Sequence, residues 1–371
     1  MAHTVLLLGY IGGSVLYRLL NLPDSQSKYE FRAVVRSPEK AEQLEELGVK
    51  TILGSHSDVK LIERAAEEAD VILTAADCDD LDAAEGINKG MRKRFEATGR
   101  QPTLIHTASS ALFNIHLYPT KIEAILIHTS PEQVPVISDS AIGEYASDTI
   151  FDDTNLAQLE SIPPNAPHRP VDLKVLDADE EGYAKTYIVS PGIIYDGARH
   201  PLVDAGISNP RTLVFKILIP ASIKRGYGIA IGKGENLWSH VHIDELTDFY
   251  ELLFKSVVDQ LKSKDVPHGK EGYFFLGAEE SRGYQHYHET ARILFDLGKV
   301  KSTEPTPFTE EEATEYFGPM GKILRALLGS NSRFVGNNAK RLGWKPKKTT
   351  EDFVGSLAEE VRFWVRAAEN Q

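Results

Sequence analysis

Apolar positions along this 371-residue chain follow two regimes. In the first half, short unbroken apolar runs at 4–8, 31–35, 50–53, 71–75 and 103–107 alternate with longer stretches at 13–22, 38–47, 58–69 and 82–98. The short runs are rich in β-branched residues and lack polar alternation, as strands buried on both faces require. The longer stretches carry apolar residues at helical spacing. Ser37-Pro38 and Ser57-Asp58 read as helix starts, Gly48 and Gly99 as stops. The alternation predicts an α/β fold, a doubly wound parallel sheet with right-handed crossovers.

The second regime is less regular. Residues 161–170, SIPPNAPHRP, hold four prolines and read as a loop. A sixth strand is expected at 186–189, leading into SPGIIYDGARHP. Beyond about residue 200 the pattern becomes isolated helices, at 244–261 and 284–297, with a short strand at 273–276. The expected organisation is a domain at 1–198 and a smaller mixed lobe at 199–371.

Composition narrows the classes. A net charge of −13 argues against a polyanion partner, so no nucleic acid is expected. The basic stretch near 340–348 reads as a solvated face. Cys78 is the single cysteine. It excludes a disulfide framework and a zinc site built on cysteines, and it reads as a buried small hydrophobe. No apolar run approaches the ~20 residues of a membrane span. The N-terminus has no basic segment or cleavage site, so a reducing, cytoplasmic compartment is expected.

Candidate chemistry begins at the first strand–helix junction, Gly9-Tyr10-Ile11-Gly12-Gly13. Glycines there let the backbone approach a pyrophosphate and aim helix N–H groups at its charge. The second strand ends in Arg36-Ser37. An acidic residue at that place would bind the ribose 2′-hydroxyl of NAD, whereas Arg36 suits a 2′-phosphate. Ser37 and Lys40 could add contacts. NADP is therefore the expected cofactor, with NAD the alternative.

Eight motifs run in order along the chain: GYIGG, VVRSPEKA, LGSHSD, VILTAAD, IHTASSA, VSPGIIYDG, WSHVHIDELTDFY and LGWKPKKT. In them the chain resembles the extended or atypical short-chain dehydrogenase/reductases, and among these the fungal NAD-dependent epimerase/dehydratase and NmrA-like NAD(P)-binding proteins. The resemblance implies a Rossmann fold and cofactor contacts from Gly9, Tyr10, Ile11, Gly12, Ala75, Ala76 and Pro191. It also implies a catalytic serine at Ser109, with Ser110 as the alternative.

Three departures stand out. Leu8 joins Gly9 directly, three residues shorter than the family's glycine loop. Residues at about 112–135 read as an insertion, and a gene-model artefact would explain both features. Finally, no tyrosine has a lysine four residues on, so the family's Tyr-x-x-x-Lys pair is missing. At its expected place stands His168-Arg-Pro-Val-Asp172, in which His168 could donate the proton and Asp172 orient it. Tyr183 and Tyr195 are the alternative acids. His240-Val-His242-Ile-Asp244 could mimic a metal site but is structural in the family, and no metal is expected. His286-Tyr-His288-Glu289 reads as a solvated helix face.

The leading expectation is an oxidoreductase or epimerase-like enzyme passing a hydride to or from a carbonyl or alcohol carbon of a small metabolite. The second lobe, with Arg333, would define the substrate. A homodimer is allowed but not demanded. The rival readings are a non-catalytic dinucleotide sensor of the NmrA-like kind and a defective family member with a damaged cofactor loop.

Overall fold

A computed structural model of the chain describes residues 3–75, 78–108, 141–166, 168–211, 213–258 and 266–369. The apolar runs become the strands β1 (His3–Gly9), β2 (Tyr29–Val35), β3 (Lys50–Leu53), β4 (Val71–Ala75) and β5 (Thr103–Thr107). After the two-residue strand β6 (Phe151–Asp152) come β7 (Lys185–Pro191) and β8 (Ile193–Tyr195). Further on lie β9 (Ile229–Ala230), β10 (Leu237–His242), β11 (Tyr273–Leu276) and β12 (Glu279–Arg282).

Seven strands form one parallel sheet in the order β11-β7-β5-β4-β1-β2-β3. The chain winds outward from β1 to β3, then returns to β4 on the other side of β1. Strand order therefore reverses between β1 and β4, which is where ligands bind in open sheets of this kind. β4 is buried along its whole length, as its unbroken apolar run requires.

Helices cover both faces. Ser37, Asp58 and Asp80 cap helices Pro38–Glu46, Val59–Glu67 and Leu81–Thr98 by accepting a backbone N–H from the first turn. Gly99 closes the last of these in the left-handed conformation (φ 67°). Helices Val59–Glu67 and Leu81–Thr98 approach backbone to backbone at Gly90, where a Cβ would lie 2.3 Å from the Glu63 carbonyl oxygen.

The structure differs from the sequence reading in two places. Helix Arg169–Glu180 occupies a stretch for which no element was expected. Its prolines disguise it: Pro170 sits in the first turn, where the missing N–H has no intrahelical partner to lose. Second, a boundary at residue 198 does not partition the sheet. β11 joins it beside β7, and helix Ile243–Val258 contributes Phe249, Tyr250, Leu253 and Phe254 to the core beneath helix Tyr10–Leu20. Arg18 of that first helix reaches Asp248 and Glu251.

The remaining chain builds the smaller lobe. Its sheet, β12-β10-β8, is covered by helices Leu213–Arg225, Gly283–Asp296 and Thr350–Glu369 around Tyr195, Phe215, Trp238 and Phe353. The last helix is tied down by Arg211, which donates to Glu360 and Glu359 at 2.7 and 2.6 Å. No helix of the described residues is long and apolar enough to cross a membrane.

Candidate active site

β1 ends at Gly9 and the first helix, Tyr10–Leu20, begins on the next residue. No loop separates them, which matches the shortened junction and moves the helix start three residues earlier than the pattern suggested. Helix N-terminal N–H groups, Ile11 among them, thus emerge at the sheet's switch point. The two glycines of the helix differ. A Cβ on Gly12 would meet nothing within 4 Å, so open space lies beside it. A Cβ on Gly13 would meet Ser208 Oγ at 2.5 Å, so this glycine serves packing. One residue on, Ser14 Oγ lies 3.0 Å from His200 Nε2, whose ring stacks on Tyr17.

Arg36, after β2, is exposed and has no hydrogen bond or ion pair among the described residues. Ser37 is more committed. Its oxygen accepts the Lys40 N–H and its hydroxyl donates to Glu39. Ala75 closes β4 and Pro191 closes β7, both at the same edge of the sheet. The open helix start, the space at Gly12 and the uncommitted Arg36 fit a dinucleotide's pyrophosphate and adenosine end.

Beyond β4 the chain presents Cys78 and Asp79, against which the N-terminus of helix Arg169–Glu180 docks. His168 is 2% exposed and adopts a left-handed backbone (φ 66°), unusual for a residue with a Cβ. Asp79 holds it there twice. Its Oδ1 accepts the His168 backbone N–H at 3.1 Å and the Nδ1–H at 2.8 Å. Cys78 Sγ lies 3.2 Å from the same ring nitrogen. Nε2 is buried with no hydrogen-bond partner among the described residues. Burial alone would lower the imidazole's pKa. The Asp79 carboxylate, aided by Cys78, outweighs it and raises the pKa well above the ordinary value. The protonated ring is thus the favoured form near neutrality.

The Cys78, Asp79 and His168 ligand atoms lie within 4.8 Å of one another, and among the described residues they are the one trio with metal-ligand spacing. The hydrogen bonds just described account for their closeness. The neighbouring His106, on β5, directs Nδ1 to Thr74 Oγ1 at 2.7 Å. Burial and the His168 charge push its pKa down to about 4, so it stays neutral.

Several expected roles need correction. Asp172 does not orient His168 in the structure. It sits one turn into the helix and accepts from the Tyr273 hydroxyl at 3.3 Å, which in turn accepts from Arg169 at 2.6 Å. Burial pushes the Asp172 carboxyl up to about 7. Tyr183 lies in the turn before β7, at the opposite edge of the sheet from His168, with Arg92 4.2 Å above its ring. Tyr195 belongs to the second-lobe core. Its ring meets His240, His242 and Phe353, and burial raises its pKa, which suits packing rather than proton transfer. Ser109, Ser110, Ala76 and the 112–135 segment lie outside the described residues.

Other candidates resolve similarly. His240 is buried with Nε2 3.1 Å from Thr350 Oγ1, and His242 pairs with Asp196. Arg333, expected to face substrate, is committed to Glu280 and the Ser147 carbonyl. Of the helix face read as solvated, His288 is exposed beside Glu304, but His286 turns inward to Ser281. Sequence reasoning missed Asp79 and His106. The acidic cluster after VILTAAD was the available signal for Asp79, but nothing marked which acid would face the helix start.

Residues 9–110 match the NAD(P)H-binding family. Over 353 residues the chain is 26% identical to the oxidase ucsJ of Acremonium sp, covering 91% of this chain and 90% of that one. Its fold is similar to that of UDP-glucose 4-epimerase from Thermotoga maritima, solved with UDP-glucose (TM-score 0.58, 15% identity, 98% and 99% of the two chains). It is also similar to dTDP-glucose 4,6-dehydratase from Bacillus anthracis, solved with NAD (TM-score 0.57, 14% identity, 98% and 97%). Residues 9–110 are therefore similar to an NAD(P)H-binding domain, and the fold of the chain is the Rossmann-like one seen in the epimerase and the dehydratase.

Proposed function

We propose that this protein is an NAD(P)-dependent oxidoreductase or epimerase-like enzyme in which His168 replaces the usual tyrosine as proton donor. The single observation that carries the reading is the Asp79–His168 pair at the ligand-binding edge of the sheet, with Nε2 left unsatisfied. When bound, a nicotinamide dinucleotide supplies or accepts the hydride. The chain's own residues do the rest. Asp79 fixes the ring by its Nδ1–H and keeps it protonated, so the Nε2 proton is the one available to a substrate oxygen. Ser109, two residues beyond β5, would polarise that oxygen. In the oxidative direction the same atom of His168 would receive the proton.

Arg36 supports a preference for NADP. Its exposed guanidinium is uncommitted, and a 2′-phosphate offers it bidentate hydrogen bonds. The substrate is proposed to be a small carbonyl or alcohol metabolite. The relatives, by their names an oxidase, an epimerase and a dehydratase, support oxidoreductase-type chemistry of this kind.

Two measurements test the proposal. Titration with NADPH and NADH, read by nicotinamide fluorescence, should show tighter NADPH binding. Arg36→Glu should remove that preference, roughly a 10–100-fold loss for NADPH alone. In a carbonyl-substrate screen, His168→Gln should then lower turnover by ~10²–10⁴ with NADPH affinity unchanged. One observation favours a second reading, a non-catalytic sensor: no tyrosine of the chain has a lysine four residues on. Distinct affinities for NADP and NADPH with no turnover of any carbonyl would establish that reading instead.

A further inference from the structure

The loop beyond β4 and the start of helix Arg169–Glu180 bring three different donor groups to one point: the Cys78 thiol, the Asp79 carboxyl and the His168 imidazole. Hydrogen bonds draw them together, but not one to one. Cys78 Sγ and Asp79 Oδ1 both face the same ring nitrogen, Nδ1, at 3.2 and 2.8 Å. One nitrogen carries one proton, so it serves one of these neighbours in full and the other only in part. A cation at the common centre could bond all three at once.

The donor set selects the cation. A thiolate and an imidazole favour zinc and its neighbours in the first transition row over magnesium or calcium, and a carboxylate is a usual third zinc ligand. At zinc–sulfur and zinc–nitrogen lengths of about 2.3 and 2.0–2.1 Å, tetrahedral ligand atoms stand about 3.3–3.6 Å apart. The separations at His168 are shorter than that by roughly half an ångström, so a small withdrawal of the ring opens the centre. Charge balances as well. A thiolate and a carboxylate together cancel a divalent ion, so the buried site stays neutral. His168 and Cys78 are buried, whereas the Asp79 side chain is 41% exposed and gives an ion its way in. A single cysteine excludes a site of several thiolates but not this mixed one.

We infer that Cys78, Asp79 and His168 form a binding site for a thiophilic divalent transition-metal ion, zinc in the first place, with a fourth position left for water. Coordination displaces the thiol proton and the Nδ1 proton to solvent. Metal loading and the proton-donor role proposed above exclude one another, because both use Nδ1. Metal binding does not depend on that reading; loss of turnover on loading rests on it.

Cobalt(II) is the probe, because a cobalt–thiolate bond gives a charge-transfer absorption and Cys78 is the single thiol of the chain. The full chain, reduced and stripped with chelator, is titrated with Co²⁺ and then with Zn²⁺. The sulfur-to-cobalt band should saturate at about one ion per chain, with a Kd of about 10 µM or tighter, and Zn²⁺ should bleach it. His168→Gln and Asp79→Asn keep the thiol and should each weaken Co²⁺ binding by at least ~10-fold. Thermal melts show whether each variant has folded; if one has not, the other carries the comparison. Absence of the thiolate band up to about 1 mM Co²⁺ overturns the inference. So does an unchanged Co²⁺ affinity in a folded variant, since the thiol would then bind without its neighbours. NADPH titration and the carbonyl screen on the stripped protein test the enzyme reading separately, so the two failures are told apart.

Discussion

His168 shows how one carboxylate changes the work a side chain can do. In isolation a buried imidazole would be neutral; beside Asp79 it is held protonated and aimed. The expected consequence belongs to the pH profile. Asp79→Asn removes the stabilising charge, so the His168 pKa falls. In the direction of carbonyl reduction, where the protonated ring is required, the alkaline limb of kcat/KM should move to lower pH. A limb that stays in place would remove His168 from the proton-donor role. The αL backbone at His168 has the same cause, because Asp79 accepts both its ring and backbone N–H.

Among elements, the β1–helix junction has most leverage on cofactor binding. Gly13 lets that helix lie against Ser208, whereas Gly12 faces open space. Gly13→Ala should therefore strain the packing, at about 1–3 kcal/mol. The expected readout is a fall of several degrees in Tm with weaker NADPH binding, while Gly12→Ala should leave Tm within about a degree. Adding Ser208→Gly to Gly13→Ala removes the clashing side chain and should restore Tm. If it does not, the contact with Ser208 is not what requires glycine at 13. The same element level explains why Tyr183 and Tyr195 drop out. One lies at the wrong end of the sheet and the other inside the smaller lobe, whatever their spacing to His168 along the chain.

Across the whole molecule, docking of helix Arg169–Glu180 against β11 of the sheet buries a polar layer, Asp172–Tyr273–Arg169. Burial raises Asp172 from 3.8 to about 7. A carboxyl with a raised folded-state pKa contributes stability that is complete below about 4 and lost as pH rises through about 7. Other groups titrate in the same range, some with opposite sign: His106 and His240 are lowered to about 4. The clean observable is therefore a difference. Asp172→Asn keeps an acceptor for Tyr273 but cannot ionise. Relative to wild type, its unfolding free energy should rise between pH 4 and pH 8, by up to about 4 kcal/mol. A flat difference across that range would mean that Asp172 ionises in the fold as freely as in the unfolded chain.

Much of this architecture is written locally. Unbroken apolar runs placed β3, β4 and β5 with the bounds the structure has, and Ser37 and Gly99 marked helix ends, because burial and capping depend on residues a few positions apart. The missing glycine loop and the absent Tyr-x-x-x-Lys were likewise legible by counting. His168 was legible as a candidate, but its partner was not. Asp79 stands 89 residues away, and only the docking of a helix start against the end of β4 brings them together. The same holds for β11, which returns to the first sheet, and for Cys78, which meets the His168 ring across 90 residues of chain. Sequence alone determined the periodicities and the residues on offer. Tertiary structure decided which of them meet, since hydrogen bonds, charges and cavities depend on distances that chain separation does not set.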